Sequence, residues 1–260
     1  MYYSPLQVRE IFHLEFLREL VKAIPASTFV LKGGSNLRFF FGSVRYSEDM
    51  DIDVKDIPVH KLQTICLDII DSRPLSNRLK TFGIEDIIPP NMRYAKQTET
   101  VQRFKIHLIT SAGEDLFTKI EFSRRGFDSA YKSEAVMSSI PATYRLPPLI
   151  IPHYETEAVL NQKINALTSR KKVQARDIFD LFILSPRVDN SRINSTMIQS
   201  SEVMRLAHER VYSIDYHQYR DQVIEYLTQE DRTYYDSREM WDEIRLVVIG
   251  LFKKGSRKHE

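Results

Sequence analysis

Apolar positions change period along the chain, and that change divides it into two parts. Ile11, Leu14, Leu17 and Val21 recur at helical spacing. Ser4-Pro5-Leu6-Gln7 supplies a start for that helix, with Ser4 as cap, Pro5 in the first turn and Gln7 where a capping box needs it. The helix ends near Pro25. Residues 27–32 then read as a short buried strand, Gly33-Gly34-Ser35 interrupts it, and residues 36–41 suit a helix. Residues 49–54 alternate acid and apolar, the period of a strand with one polar face. A helical pattern over 59–72 follows, then strand-like runs at 103–110 and 117–123 with a turn at Gly113-Glu114-Asp115. Prolines at 141, 147, 148 and 152 predict irregular chain over 140–152 and place a domain boundary there. Beyond it the pattern is helical: 155–170, 176–184, 195–212, a helix around 223–227, and 237–252. The prediction is an α+β protein, with a mixed sheet flanked by helices over residues 1–145 and an all-helical domain over 146–260.

Composition adds limits to this picture. A single cysteine, Cys66, excludes an internal disulfide and a cysteine-based zinc cluster, which fits a reducing cytoplasm. No apolar run approaches the ~18 residues of a membrane span, and the N-terminal residues lack a signal-peptide pattern. The net charge of +2 does not demand a nucleic-acid partner. Its distribution is more informative: Lys163, Arg170, Lys171, Lys172 and Arg176 cluster, and Lys253, Lys254, Arg257 and Lys258 follow later. These runs read either as solvated helix faces or as phosphate-handling surface.

The segment LKGGSNLRFFFGSVRYSEDMDIDV, residues 31–54, carries the candidate chemistry. On a strand Asp49, Asp51 and Asp53 project from one face. Carboxylates so close repel each other unless solvated or bridged by cations. Mg²⁺ takes such oxygen ligands and completes its shell with water and nucleotide phosphates. The upstream Gly-Gly-Ser turn, opening a helix, suits backbone N–H approach to a triphosphate, although a plain structural turn explains it as well. On the 117–123 strand, Lys119, Glu121 and Ser123 share a face. Glu121 is therefore either a third metal ligand or a carboxylate paired with Lys119. The histidines are scattered without ligand spacing, and no P-loop, dinucleotide glycine motif or nucleophilic-serine motif is present.

Leu31-Lys32-Gly33-Gly34-Ser35-Asn36-Leu37 followed by Arg45-Tyr46-Ser47-Glu48-Asp49-Met50-Asp51-Ile52 resembles the AbiEii/AbiGii-type nucleotidyltransferases of the DNA-polymerase-β-like superfamily. A second block, residues 160–167, then Arg170 and Arg176-Asp177-Ile178-Phe179-Asp180-Leu181, is similar to that family's lysine helix and arginine–aspartate helix. The resemblance implies a nucleotidyltransferase domain followed by the helical one, and transfer of a nucleoside monophosphate from an NTP with release of pyrophosphate. It implies that Gly33, Gly34 and Ser35 hold the triphosphate and that Asp49, Asp51 and Glu121 bind Mg²⁺, with two ions expected. Lys163 would reach the nucleotide phosphates, and Asp177 would orient that lysine or the acceptor. Arg45 either pairs with an acid or contacts phosphate. Asp53 stands outside the usual pair and receives no role.

From the residues alone, Lys163 lies at the edge of the stripe formed by Leu160, Ile164 and Leu167, where lysines also snorkel past a core. Asp177 is also suited to the start of its helix by the dipole. The expected protein is a cytoplasmic toxin of a type IV toxin–antitoxin or abortive-infection system for phage defence, with a cognate antitoxin. Its expected acceptor is the tRNA 3′ end. Nucleotidylation of a protein hydroxyl, or a non-catalytic nucleotide- or RNA-binding module, are the alternatives.

Overall fold

A computed structural model of the chain describes residues 3–188 and 201–254, divided into two units. The first comprises residues up to 40 together with 46–154; the second comprises 41–45 together with the chain from 155 onward.

The first unit opens with α1 (Pro5–Ala23), begun by the Ser4 and Gln7 capping box that the sequence predicts. A single 3₁₀ turn leads into β1 (Phe29–Lys32), and α2 (Gly33–Phe41) starts directly on the glycines. β2 (Asp49–Val54), α3 (Val59–Ile70) and α4 (Arg73–Lys80) follow. The remaining strands are β3 (Ile84–Ile88), β4 (Val101–Thr110), β5 (Asp115–Ser123), β6 (Tyr131–Ala135) and, after the short α5 (Ser139–Thr143), β7 (Ile150–Tyr154). They form one seven-stranded mixed sheet in the order β3-β4-β5-β2-β1-β7-β6, with β2/β5 and β1/β7 parallel and the other pairs antiparallel.

Alternation sets the faces of this sheet. Met50, Ile52, Phe104, Ile106, Ile120 and Phe122 are fully buried, as are Phe12, Phe16 and Leu17 of α1. The opposite positions of β2, β4 and β5 carry the charged side chains. Burying a row of aliphatic and aromatic groups on one face holds the other face, with its acids, in fixed register.

The proline-rich stretch departs from the expectation of irregular chain. Pro141 lies inside α5 and Pro152 inside β7, where it pairs with Ser133 of β6. Ile151 and Tyr154 are buried on either side of Pro152. Their burial outweighs the one backbone donor a proline forgoes.

The second unit is helical: α6 (Thr156–Ser169), α7 (Ala175–Leu184), α8 (Ser201–Tyr212), α9 (Tyr216–Gln222), α10 (Gln229–Tyr235) and α11 (Arg238–Lys254). Ile164, Leu167, Ile178, Phe179, Val211, Ile244 and Val248 build its core, with Trp241 stacked on Tyr219 at 4.4 Å. The helix expected around 223–227 is instead α9 followed by one 3₁₀ turn, Ile224–Tyr226. Asp215 caps α9 with Gln218 completing a capping box, which fixes the helix start upstream of the apolar residues. Of the helix expected over 195–212, residues up to 200 lie outside the described part, as do the basic side chains from Lys253 to Lys258. Among the described residues no helix is long and apolar enough to cross a membrane.

Candidate active site

The turn between β1 and α2 brings the glycines onto the acids. Gly33 has φ +70°, a conformation that costs a residue with a side chain but not glycine. A Cβ at this position would lie 2.7 Å from Oδ2 of Asp51, so the missing side chain is what lets the carboxylate lie against the turn. Two hydroxyls fix the start of β2: Ser35 and Ser47 both donate to the Asp49 carbonyl, at 3.3 and 2.7 Å. One residue earlier the Glu48 carbonyl accepts from Thr118 on β5, and His13 of α1 is hydrogen-bonded to the same hydroxyl at 2.8 Å. Ser35 is buried and its hydroxyl is spent on this tether.

Register then aligns charge across four strands. Lys32 on β1 is paired with Asp51 on β2, Asp51 with Glu121 on β5, and Glu121 with Arg103 on β4. In the next row Asp49 is paired with Lys119, and Lys119 with Lys105. Lys119 Nζ lies 2.8 Å from Asp49, and Arg103 holds Glu121 through Nη2 at 2.6 Å. The sequence left open a pairing of Glu121 with Lys119; the structure gives Lys119 to Asp49 and Arg103 to Glu121. Burial pushes the Asp51 carboxyl above its ordinary range, with Glu121 and Asp49 adding to the effect while Lys32 and Lys119 oppose it. A carboxylate raised in this way is one that a cation would stabilise.

Asp53 is set apart from this group. It is buried, takes a 2.6 Å contact from Lys32 and accepts a 2.7 Å hydrogen bond from the Tyr154 hydroxyl. Burial and the neighbouring Asp53 carboxylate together push that phenol well above its usual range, so Tyr154 stays a donor. With both oxygens engaged, Asp53 ties β7 to β2.

Asp49, Asp51 and Glu121 form an all-oxygen donor set suited to a hard divalent cation. Among the described residues no three such side chains already converge as a ligand cluster. Lys119 and Arg103 occupy two of the three carboxylates instead. The donor chemistry fits Mg²⁺, and Gly33 leaves the space that Asp51 needs.

The second unit holds a separate buried network. Lys163 on α6 contacts Asp177 at 3.2 Å and Asp180 at 2.5 Å, both on α7. Arg45 reaches Asp180 at 3.1 Å, and Arg170 reaches Asp177 at 2.6 Å. Both acids are almost fully buried, so each depends on its cations. Burial pushes Asp180 upward, but Arg45 and Lys163 outweigh it and hold the carboxyl below its usual range. Asp180 is thus an acid that Arg45 pairs with.

The expected site residues therefore fall into two sets. Gly33, Gly34, Ser35, Asp49, Asp51 and Glu121 gather in the first unit; Arg45, Lys163 and Asp177 gather in the second around Asp180. Lys32 and Arg103 join the first set and Asp180 centres the second, and the sequence reading gives none of the three a role. Asp180 carried a signal, standing one helical turn from Asp177. Arg103 could be linked to Glu121 only once the strand register was known.

The family model described as nucleotidyl transferase AbiEii toxin, type IV toxin–antitoxin system, matches residues 15–244. No curated protein sequence matches the chain. Among solved structures, the fold is similar to MenT4, a nucleotidyltransferase toxin of Mycobacterium tuberculosis H37Rv, with TM-score 0.63 and 16% identity over 96% of this chain and 86% of that one. It is also similar to JHP933 from Helicobacter pylori, with TM-score 0.56 and 17% identity over 98% and 95% of the two chains.

Proposed function

The chain belongs to the AbiEii family of nucleotidyltransferase toxins of type IV toxin–antitoxin systems, and on that premise we propose that it transfers a nucleoside monophosphate from an NTP to the 3′ end of a tRNA in the cytoplasm. The observation that carries this reading is Asp51, in register with Glu121 and lying against the side-chain-free Gly33.

In this reading Asp49, Asp51 and Glu121 hold Mg²⁺, which would lower the charge on the triphosphate and favour ionisation of the attacking hydroxyl. The chain's own groups do the rest. Backbone N–H groups of Gly33, Gly34 and Ser35, at the start of α2, face the negative phosphates. The acceptor 3′ oxygen bonds to the α-phosphorus, the bond from that phosphorus to the β-phosphate oxygen breaks, and pyrophosphate leaves. Asp49, whose side chain is 42% exposed, takes the hydroxyl proton. Lys119 and Arg103 neutralise the acids of the free enzyme and supply positive charge for the bound substrate. Lys163 contacts nucleotide phosphate, with Asp177 and Asp180 fixing its position and Arg45 acting through Asp180.

Incubation with Mg²⁺, each labelled NTP in turn, and total tRNA or total protein tests the reading. Label entering tRNA, and lost in Asp49→Ala, supports it; label entering protein moves the acceptor to a protein hydroxyl. NTP binding without transfer would leave only a binding module.

A further inference from the structure

Beside the charged row, and outside every residue assigned above except Arg103, a groove of about 340 Å³ runs between β4 and the 89–97 loop. Ile88, Tyr94, Lys96, Arg103, Lys105 and His107 line it, and no acid does. The loop is tied to the strand. Arg103 N–H donates to the Lys96 carbonyl at 2.8 Å, the Gln97 side chain donates to the Arg103 carbonyl at 3.1 Å, and Pro89-Pro90 restricts the entry. The groove is thus preformed.

Part of its composition is left unexplained by partners within the fold. Tyr94 is 87% exposed and makes no side-chain hydrogen bond or ring contact among the described residues. Arg103, Lys105 and His107 alternate along β4 and so share one face. Phe117, opposite His107 on β5, is 55% exposed and meets its ring at 4.1 Å. Two acids flank the row: Glu121 on Arg103 and Asp115 at 3.6 Å from His107. Lys96 and Lys105 remain without an acid partner among the described residues.

From Arg103 to His107 the row extends about 14 Å at strand rise, longer than the triphosphate of one nucleotide. Cationic side chains interleaved with open aromatic rings are what a single nucleic-acid strand needs: charge for successive phosphodiesters and π-faces for unstacked bases. A rigid duplex offers no such bases.

We propose that this groove is the acceptor-strand subsite: it binds a single-stranded RNA 3′ segment, with phosphates along Lys96 and Lys105 and a base stacked on Tyr94. Its position rests on the transferase reading, because Arg103 joins the groove to Glu121; its ligand chemistry does not.

The test is fluorescence anisotropy with a labelled single-stranded oligoribonucleotide, beside a separate titration with a fluorescent NTP. Tyr94→Ala should weaken RNA binding by about fivefold or more, from the loss of one stacked base, while Tyr94→Phe retains it. Lys105→Ala should reduce the slope of log affinity against log salt by about 0.7. Both side chains are exposed, so neither substitution threatens the fold. NTP affinity should stay at the wild-type value. Unchanged RNA binding in Tyr94→Ala and Lys105→Ala overturns the proposal, and so does a parallel loss of NTP affinity, which would make the groove the site of the nucleotide base. If these RNA shifts appear while wild-type protein transfers no nucleotide to any RNA, the groove stands as an RNA-binding site and the tRNA-acceptor reading falls.

Discussion

The carboxylate of Asp51 fills the space that a side chain on Gly33 would need, with 2.7 Å between Oδ2 and the position of a Cβ. Two segments separated in the chain are thereby made into one surface. Gly33→Ala meets both that contact and the positive φ. It should cost about 1–3 kcal/mol of stability and displace Asp51. Thermal unfolding and NTP-transfer assays should show a protein that still folds and no longer transfers label.

Asp51 also carries an electrostatic cost. Burial raises its pKa, so the folded state binds this proton more tightly than the unfolded chain does. Its contribution to stability therefore falls as pH rises from the ordinary value of 3.8 through the raised one, and the full cost is present at neutral pH. Asp51→Asn removes the cost and should raise stability at pH 7 by on the order of 0.5–2 kcal/mol, with a smaller gain below pH 3.8, while abolishing transfer. Melting curves at the two pH values check this; a lower melting temperature at pH 7 would mean that Lys32 and Lys119 outweigh the burial.

How far these features were legible in the sequence depends on whether they are local. The α1 capping box and β2 are set by neighbours in the chain, and each lies where its residues predict; the turn expected at residues 113–115 ends before Asp115, which already belongs to β5. β3, β6 and β7 are short, and two of them contain few apolar residues or a proline; they exist because longer strands offer them partners. The same division runs through the candidate site. Asp49 and Asp51 announce themselves by alternation. Arg103 and Lys32 do not, since their alignment with Glu121 and Asp51 arises from pairing between strands distant in the chain.

His13 gives the fold an acid-sensitive point. It is fully buried, and burial, aided by Arg9, pushes its pKa down to about 3, so the native ring is neutral. Below pH 6.5 the unfolded chain takes up a proton that the folded one refuses. Stability is therefore complete above pH 6.5 and lost progressively as pH falls toward 3, by ~2 kcal/mol at pH 5. His13→Gln, which can still hydrogen-bond Thr118, should flatten the dependence of denaturant midpoint on pH between 6.5 and 4.

The buried network on α6 and α7 separates stability from catalysis. Lys163, Arg45 and Arg170 give three cations to the two acids Asp177 and Asp180. Lys163→Met leaves Arg170 on Asp177 and Arg45 on Asp180, so charge still balances and the apolar stem is replaced in kind. Asp180→Ala instead removes the buried acid that Lys163 and the buried Arg45 share. Asp180→Ala should therefore cost about 3–5 kcal/mol, and Lys163→Met clearly less. If Lys163 contacts nucleotide phosphate, Lys163→Met should also raise the KM for NTP at temperatures where it is fully folded. Urea titration and steady-state transfer measured together decide the point: a destabilised Lys163→Met with unchanged KM would make this lysine purely structural.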